Sequence, residues 1–167
     1  MDGLRIEIDL DGLRQFAQQI GEIAAAGDDT HQLMDDIGAY GVASTQERFV
    51  TAKSPDGQKW QPSGRVKMAQ GNAQTLVDRG HLRDSFSSLA TSHSAIWGTN
   101  LIYAAPNQFG ATIRPKNGKS LKFKIPGLGF RSAQEVVLPA RPFMGVNDVD
   151  AEEIGKMVGA HFLWGSS

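Results

Sequence analysis

Four histidines, His31, His81, His93 and His161, are the residues of this chain best suited to bind a metal or move a proton near neutral pH. No two stand four apart, the spacing that sets a ligand pair on one helix face, so they read as structural or solvated side chains. The carboxylate pairs Asp35-Asp36 and Glu152-Glu153 are sequence neighbours, and adjacent positions on a helix diverge instead of converging on a substrate. Cysteine is absent, which removes disulfides, thiolate catalysis and Cys-ligated zinc or iron–sulfur centres together. There is no Gly-x-x-x-x-Gly-Lys-Ser/Thr phosphate loop and no Gly-x-Ser-x-Gly elbow. Gly127-Leu128-Gly129 lacks the strand–loop–helix context of a dinucleotide loop. These residues support no catalytic site, no metal, no cofactor and no small-molecule substrate.

The informative chemistry is charge. Residues 1–50 carry three basic side chains against ten acidic ones, and residues 51–147 carry thirteen against four. Residues 148–167 return to one against four, leaving a net charge of −1. Such segregation fits a nucleic-acid surface, an acidic face docking a basic one on a neighbour, or internal balance within one fold. Seven of these thirteen basic side chains in residues 51–147 fall in two groups. Lys53, Lys59, Arg65 and Lys67 surround the Pro55-Asp56-Gly57 turn signal, and Lys122, Lys124 and Arg131 flank Pro126-Gly127-Leu128-Gly129.

The elements that must carry these groups follow from periodicity. With 167 residues, 40% hydrophobic and 21% charged, the chain reads as one globular domain. It has no apolar run long enough to cross a bilayer and no charged-then-apolar start of a secretory signal. Leu4-Arg5-Ile6-Glu7-Ile8 alternates as a strand. Leu10, Leu13, Phe16, Ala17, Ile20, Ile23 and Ala24 form one stripe of a helix ending near Gly27. A second helix follows Asp28-Asp29-Thr30, with Leu33, Ile37 and Tyr40 on one face and Phe49 near its end, so an antiparallel N-terminal helix pair is expected.

Residues 51–75 read as a loose basic loop with one helical turn around Arg65 to Gln70. Leu76 to Phe86 reads as a turn leading into a strand, Ser94 to Gly98 as another strand, and Tyr103 to Gly110 as a brief helix. Ser120 to Ile125 alternates strictly, three apolar side chains against lysines, and Glu135 to Leu138 returns as its partner. A projecting basic hairpin arm over about 112–138 is the expectation. A last helix, Val149 to Trp164, gathers Ile154, Met157, Val158, His161 and Phe162 into one stripe. Strands in the middle and helices at the ends argue for an α+β fold, an antiparallel sheet packed by the N-terminal helix pair and the C-terminal helix.

Four segments in order carry a resemblance. They are Ser54-Pro55-Asp56-Gly57 with Trp60; Leu76-Val77-Asp78-Arg79-Gly80-x-Leu82-Arg83-x-Ser85-Phe86; Gly98-Thr99-Asn100-x-x-Tyr103-Ala104-x-x-x-Gln108-Phe109-Gly110; and Pro139-Ala140-Arg141-Pro142-Phe143-Met144-Gly145. The series, covering residues 48–147, resembles the phage virion morphogenesis proteins of the Mu protein G and P2 tail completion type. More distantly it is similar to the tail-completion components of siphophages.

The resemblance implies a non-enzymatic virion protein that finishes the tail and helps join it to the head, as a hexameric ring matching the tail's sixfold symmetry. It implies copies of itself, tail-tube or sheath proteins and head-completion proteins as partners, with genomic DNA passing the lumen and no membrane partner. Assembly in the host cytoplasm agrees with the missing cysteines.

The candidate contact residues are then Trp60, Asp56, Lys53, Lys59, Arg65 and Lys67 in the loop and Lys122, Lys124 and Arg131 on the arm. The basic ones face a partner protein, the lumen, or solvent. Trp60 and Phe143 either fill the core or, in the case of Trp60, anchor an interface. Tyr103 and Phe109 are expected to pack the sheet, Gly80, Gly98 and Gly110 to serve turns, and Arg141 to pair with Asp78 or Asp84. Two other readings are a nucleic-acid-binding module, drawn from the basic middle segment, and an assembly factor that leaves before the particle matures.

Overall fold

A computed structural model describes residues 3–9, 30–68, 73–125 and 129–164. The helix expected over 10–27, and with it the antiparallel helix pair, lies outside the described residues. What is described is a mixed α+β arrangement of antiparallel sheets and helices.

The main sheet has three strands, β1 (Leu4–Asp9), β2 (Ser87–Ala90) and β3 (Ser94–Thr99), in the order β1-β3-β2 and all antiparallel. Ile6 stands opposite Trp97 and Ile8 opposite Ala95 on one side of the register, and Ser88 stands opposite Trp97 on the other. Strand alternation therefore puts Leu4, Ile6 and Ile8 with Ala95, Trp97 and Thr99 on one face, and that face is the buried one. Helix α1 (His31–Thr51) lies across it, and two glycines allow the close approach. A Cβ on Gly41 would fall 2.4 Å from the Trp97 ring, and one on Gly38 would fall 2.9 Å from the Ser88 Cβ. Those glycines cost helix propensity and are kept because any side chain would push α1 off the sheet.

Four further elements follow the sheet or interrupt it. Helix α2 (Gly64–Met68) and a 3₁₀ turn (Arg83–Ser85) precede β2, and helix α3 (Ala104–Phe109) follows β3. Helix α4 (Asp148–Trp164) closes the described chain and packs on α1. Its Ile154 and Val158 are buried with Leu33, Met34 and Ile37 of α1 and Ala95 of β3, while the Phe162 side chain lies outside the described residues. A second apolar cluster joins Phe49, Trp60, Leu82, Phe86, Trp97, Ala104, Phe143 and Met144. Phe49 sits at its centre, its ring centroid 5.2 Å from Phe143 and 5.5 Å from Trp60.

Two small two-stranded sheets replace the expected simple hairpin. Strand β4 (Ala111–Ile113) pairs with β7 (Val136–Leu138), and β5 (Leu121–Ile125) pairs with β6 (Gly129–Ala133). The strand expected over Ser120 to Ile125 is present. Its partner is Gly129–Ala133, however, and the Glu135–Leu138 segment pairs further back. Phe123 is also exposed, so the alternation of β5 does not mark a buried face in this chain.

Candidate functional site

The four segments that carry the resemblance converge on one clasp. Trp60 Nε1 donates to the Pro142 carbonyl at 2.8 Å, and Arg141 Nε donates to the Gln61 carbonyl at 2.8 Å. Gln108 reads both sides of the same stretch. Its Nε2 donates to the Met144 carbonyl at 2.8 Å, and its Oε1 accepts the Phe143 and Met144 amides at 2.9 and 3.0 Å. The Arg141 amide donates to the Asn107 carbonyl at 2.8 Å, and Phe86 meets the Phe143 ring at 5.8 Å. Residues 141–145 have no regular secondary structure, so side chains must satisfy their backbone groups. That is why a buried glutamine and an indole stand here.

A polar cluster extends the clasp to α4. Arg48 Nη1 donates to the Phe143 and Gly145 carbonyls at 2.9 and 2.8 Å, and its Nη2 forms an ion pair with Asp150 Oδ2. Asp150 Oδ1 accepts from Ser44 Oγ at 2.5 Å and from the Tyr40 hydroxyl at 3.1 Å. Asn147 and Asp150 cap the helix reciprocally: each side chain accepts the other's amide, at 2.8 and 3.0 Å. Burial holds the Arg48 guanidinium below its ordinary range, against the opposing pull of Asp150. Burial, with the charge of Asp150 behind it, pushes the Tyr40 hydroxyl up to about 12.

A Tyr–Ser–Arg–Asp group has the composition of a reactive site, but this one is closed. The space beside Tyr40, Ser44 and Asp150 admits no water-sized guest. The cluster ties three elements together and touches nothing from outside. Among the described residues no group of three or more His, Asp or Glu side chains could hold a metal ion. A groove of about 680 Å³ crosses the outer face of the main sheet between Arg5, Ser87, Leu89 and Gly98, and among the described residues that line it Arg5 alone is titratable. It offers no acid–base pair.

The expected site residues divide between clasp and surface. Trp60, 6% exposed, belongs to the core, so it is no exposed anchor in this fold. The loose loop expected around it is instead a bonded turn. Lys53 bridges Lys59, the Gly57 amide donates to the Ser54 carbonyl at 2.9 Å, and buried Ser54 donates to Asp56. Lys53, Asp56, Lys59 and Lys67 are exposed. Arg65 is half-buried and donates to the Gln74 and Val77 carbonyls, both at 2.6 Å, with Asp78 at 3.7 Å. It holds chain to chain.

Phe143 is fully buried, as its core reading requires. Gly80 and Gly110 take φ of 80° and 77°, left-handed values that glycine adopts without strain. Gly98 serves approach instead, since its Cβ would fall 2.2 Å from the Leu4 carbonyl oxygen. Two expectations are corrected. Arg141 is buried against the Gln61 carbonyl, while Asp78 faces Arg65 and Asp84 faces Arg83; neither carboxylate is its partner. Tyr103 and Phe109 do not pack the sheet: both are exposed, Phe109 at 68%. The carboxylates Glu152 and Glu153, expected to diverge, both meet Lys156, at 3.0 and 2.7 Å.

Arg48, Asn147 and Asp150 escaped the sequence reading, and Gln108 entered it as part of a matched segment with no role assigned. The Asn-x-x-Asp spacing ahead of an apolar stripe was the one available signal, since it is a capping pattern.

The remaining notable features lie on the outside. Ile102, Tyr103, Phe109, Ile113 and Val137 are exposed around α3, β4 and β7. Lys122, Lys124, Phe130 and Arg131 are exposed on β5 and β6. The polar cluster is closed, and the exposed aromatic and basic side chains lie on other elements, where apolar surface of this kind suits contact with other molecules. A profile of the Phage virion morphogenesis family matches residues 11–163, and the chain belongs to that family. It is similar to the Mu-like prophage FluMu G protein 2 of Haemophilus influenzae, 28% identical over 149 residues that cover 89% of this chain and 90% of that protein. No solved structure matches the chain.

Proposed function

We propose that this chain completes the tail of a bacteriophage, closing the end of the tail tube as a ring of identical subunits and joining it to the head. Family membership supports the tail assignment, and the observation that carries the mode of action is the contrast between the closed Arg48–Asp150 cluster and the aromatic side chains exposed on α3 and β6. A protein of this kind acts by shape, with no bond made or broken.

A ring needs two unlike patches on each subunit that meet head to tail. Six copies would match the sixfold symmetry of a tail. The surface of Tyr103 and Phe109, the apolar β4–β7 pair and the basic β5–β6 hairpin, acting as an arm, supply contacts to neighbouring subunits and to tail-tube, sheath or head-completion proteins. Lys53, Lys59 and Lys67 orient those contacts more than they tighten them. Passing DNA meets any basic side chain that lines the lumen through its phosphates, without sequence preference. The protein works in the virion neck after assembly in the host cytoplasm.

Electron microscopy of particles made without this protein tests the reading. The expected result is unjoined heads and tails, or tails of irregular length. Normal tails that join heads and infect would end it.

A further inference from the structure

Strands β5 and β6 form a ribbon that is exposed along most of its length among the described residues. Lys122, Phe123 and Lys124 on one strand and Gly129 to Ser132 on the other are all exposed, and Phe130 is 78% exposed. A two-stranded ribbon alone in water is marginal at best. It carries Lys122, Lys124 and Arg131 and no acid on either strand, and Lys124 Nζ stands 6.0 Å from the Phe130 ring centroid. The neighbouring carboxylate, Glu135, is already paired with Arg114 at 3.0 Å.

The complement lies elsewhere on the chain. A groove of about 550 Å³ opens between the Ser54–Gly57 turn and the start of α4, lined by Pro55, Asp56, Val146, Asp148 and Val149. Asp56 and Asp148 are exposed, and neither is in an ion pair among the described residues. Val146 and Val149 leave apolar surface open beside them. An acidic, apolar groove and a basic, aromatic ribbon match in charge and in surface type. The turn and the helix start are also fixed to each other, because Asn147 Nδ2 donates to the Pro55 carbonyl at 3.1 Å. The groove is therefore set before anything enters it, which lowers the cost of binding.

We propose that the β5–β6 ribbon of one copy docks in the Asp56–Asp148 groove of the next copy, Phe130 against Val146 and Val149 and the lysines against the two carboxylates. The contact is heterologous, joining different patches of two identical chains, so it propagates head to tail until it closes. It deepens the ring reading given above and rests on it.

The absence of cysteine makes the test direct. Phe130→Cys and Val149→Cys are introduced together in the full chain, both at exposed positions, and a control pairs Phe130→Cys with Leu89→Cys, equally exposed on β2. Mild oxidation is applied to the purified protein and to assembled particles. The expected result is a ladder of disulfide-linked multimers, about tenfold more abundant than in the control. Lys124→Glu and Asp148→Lys should each weaken self-association in sedimentation by about tenfold, with the double reversal restoring it.

Oligomers or particles that contain the protein without this cross-link would overturn the docking while leaving the ring standing. A chain found as single copies in particles, with neither ladder nor charge-swap effect, removes both. Binding of an oligodeoxynucleotide that Lys124→Glu abolishes, with no cross-link, would assign the ribbon to nucleic acid and likewise overturn the docking.

Discussion

The guanidinium of Arg48, near the end of α1, closes on the carboxylate of Asp150, in the first turn of α4, across 102 residues of sequence. Both side chains are buried, and the pair is hydrogen-bonded further to Ser44, Tyr40, the Asn147 amide and the carbonyls of Phe143 and Gly145. A buried pair of this kind contributes little over a well-packed apolar substitute, yet stranding one member is expensive. Asp150→Ala is therefore expected to lower the unfolding free energy by about 3–5 kcal/mol. Arg48→Met should cost a similar amount, and the double variant much less than the sum, because the second change removes the stranded charge. Urea unfolding of the four proteins measures this, and simple additivity would falsify the account.

Packing of α1 on the sheet makes an opposite pair of predictions for glycine. Gly41→Ala gains about 1 kcal/mol of helix propensity, but its methyl would sit 2.4 Å from the Trp97 ring. Overpacking of a fixed indole costs about 1–3 kcal/mol, so net destabilisation is expected. Gly159 in α4 meets nothing within 4 Å, and Gly159→Ala should raise the melting temperature. Thermal melts of the two variants should move in opposite directions.

What the sequence made legible follows from where water is excluded. The strand at Leu4–Ile8, the helix through Leu33, Ile37 and Phe49, and the stripe at Ile154 and Val158 each present one face to the core, so periodicity marks them. Strand β6, Gly129–Ala133, is exposed along nearly its whole length and carries no such imprint, so its pairing with β5 could not be read. The clasp was hidden for another reason. Gln108, Asn147 and Asp150 satisfy backbone groups of an irregular segment, and side chain–backbone pairing of that sort has no period. Charge could not separate Arg141, buried against a carbonyl, from the exposed lysines.

Tyr40 gives the cluster a signature in alkaline solution. Its hydroxyl ionises near 10 when unfolded and near about 12 when folded, chiefly through burial and then through the charge of Asp150. The folded state holds the proton longer, so this contribution to stability is complete below pH 10 and disappears as pH rises toward 12. Tyr40→Phe removes the titrating group. Denaturant titrations between pH 9 and about 11.5 should show wild type losing stability more steeply than Tyr40→Phe. Parallel slopes would mean that the hydroxyl is neither buried nor set against Asp150 in the folded state.

Gln108 is expected to be as important as an aromatic core residue. Gln108→Leu keeps the approximate volume but leaves the Phe143 and Met144 amides and the Met144 carbonyl without partners. Each unsatisfied buried group costs about 1–3 kcal/mol, so a loss of about 3 kcal/mol or more is expected. Hydrogen exchange gives a sharper test, because the two amides at 143 and 144 should lose protection before the strands of the main sheet do. Protection unchanged at those positions would show that another acceptor serves them.

Phe109 and Phe143 stand at opposite ends of the last prediction, one 68% exposed and the other fully buried. Phe143→Ala opens a cavity among Phe49, Phe86 and Trp60 and should cost about 3–5 kcal/mol, so tail assembly fails because the protein is scarce. Phe109→Ser leaves the core untouched and should change stability by no more than about 0.5 kcal/mol. If the surface around α3 meets a partner, Phe109→Ser particles should nonetheless fail to complete tails, with the soluble protein present at normal level. Immunoblotting of lysates together with electron microscopy separates the two failures. Wild-type tail assembly by Phe109→Ser would remove that surface from the proposed contacts, since no folding defect could mask the result.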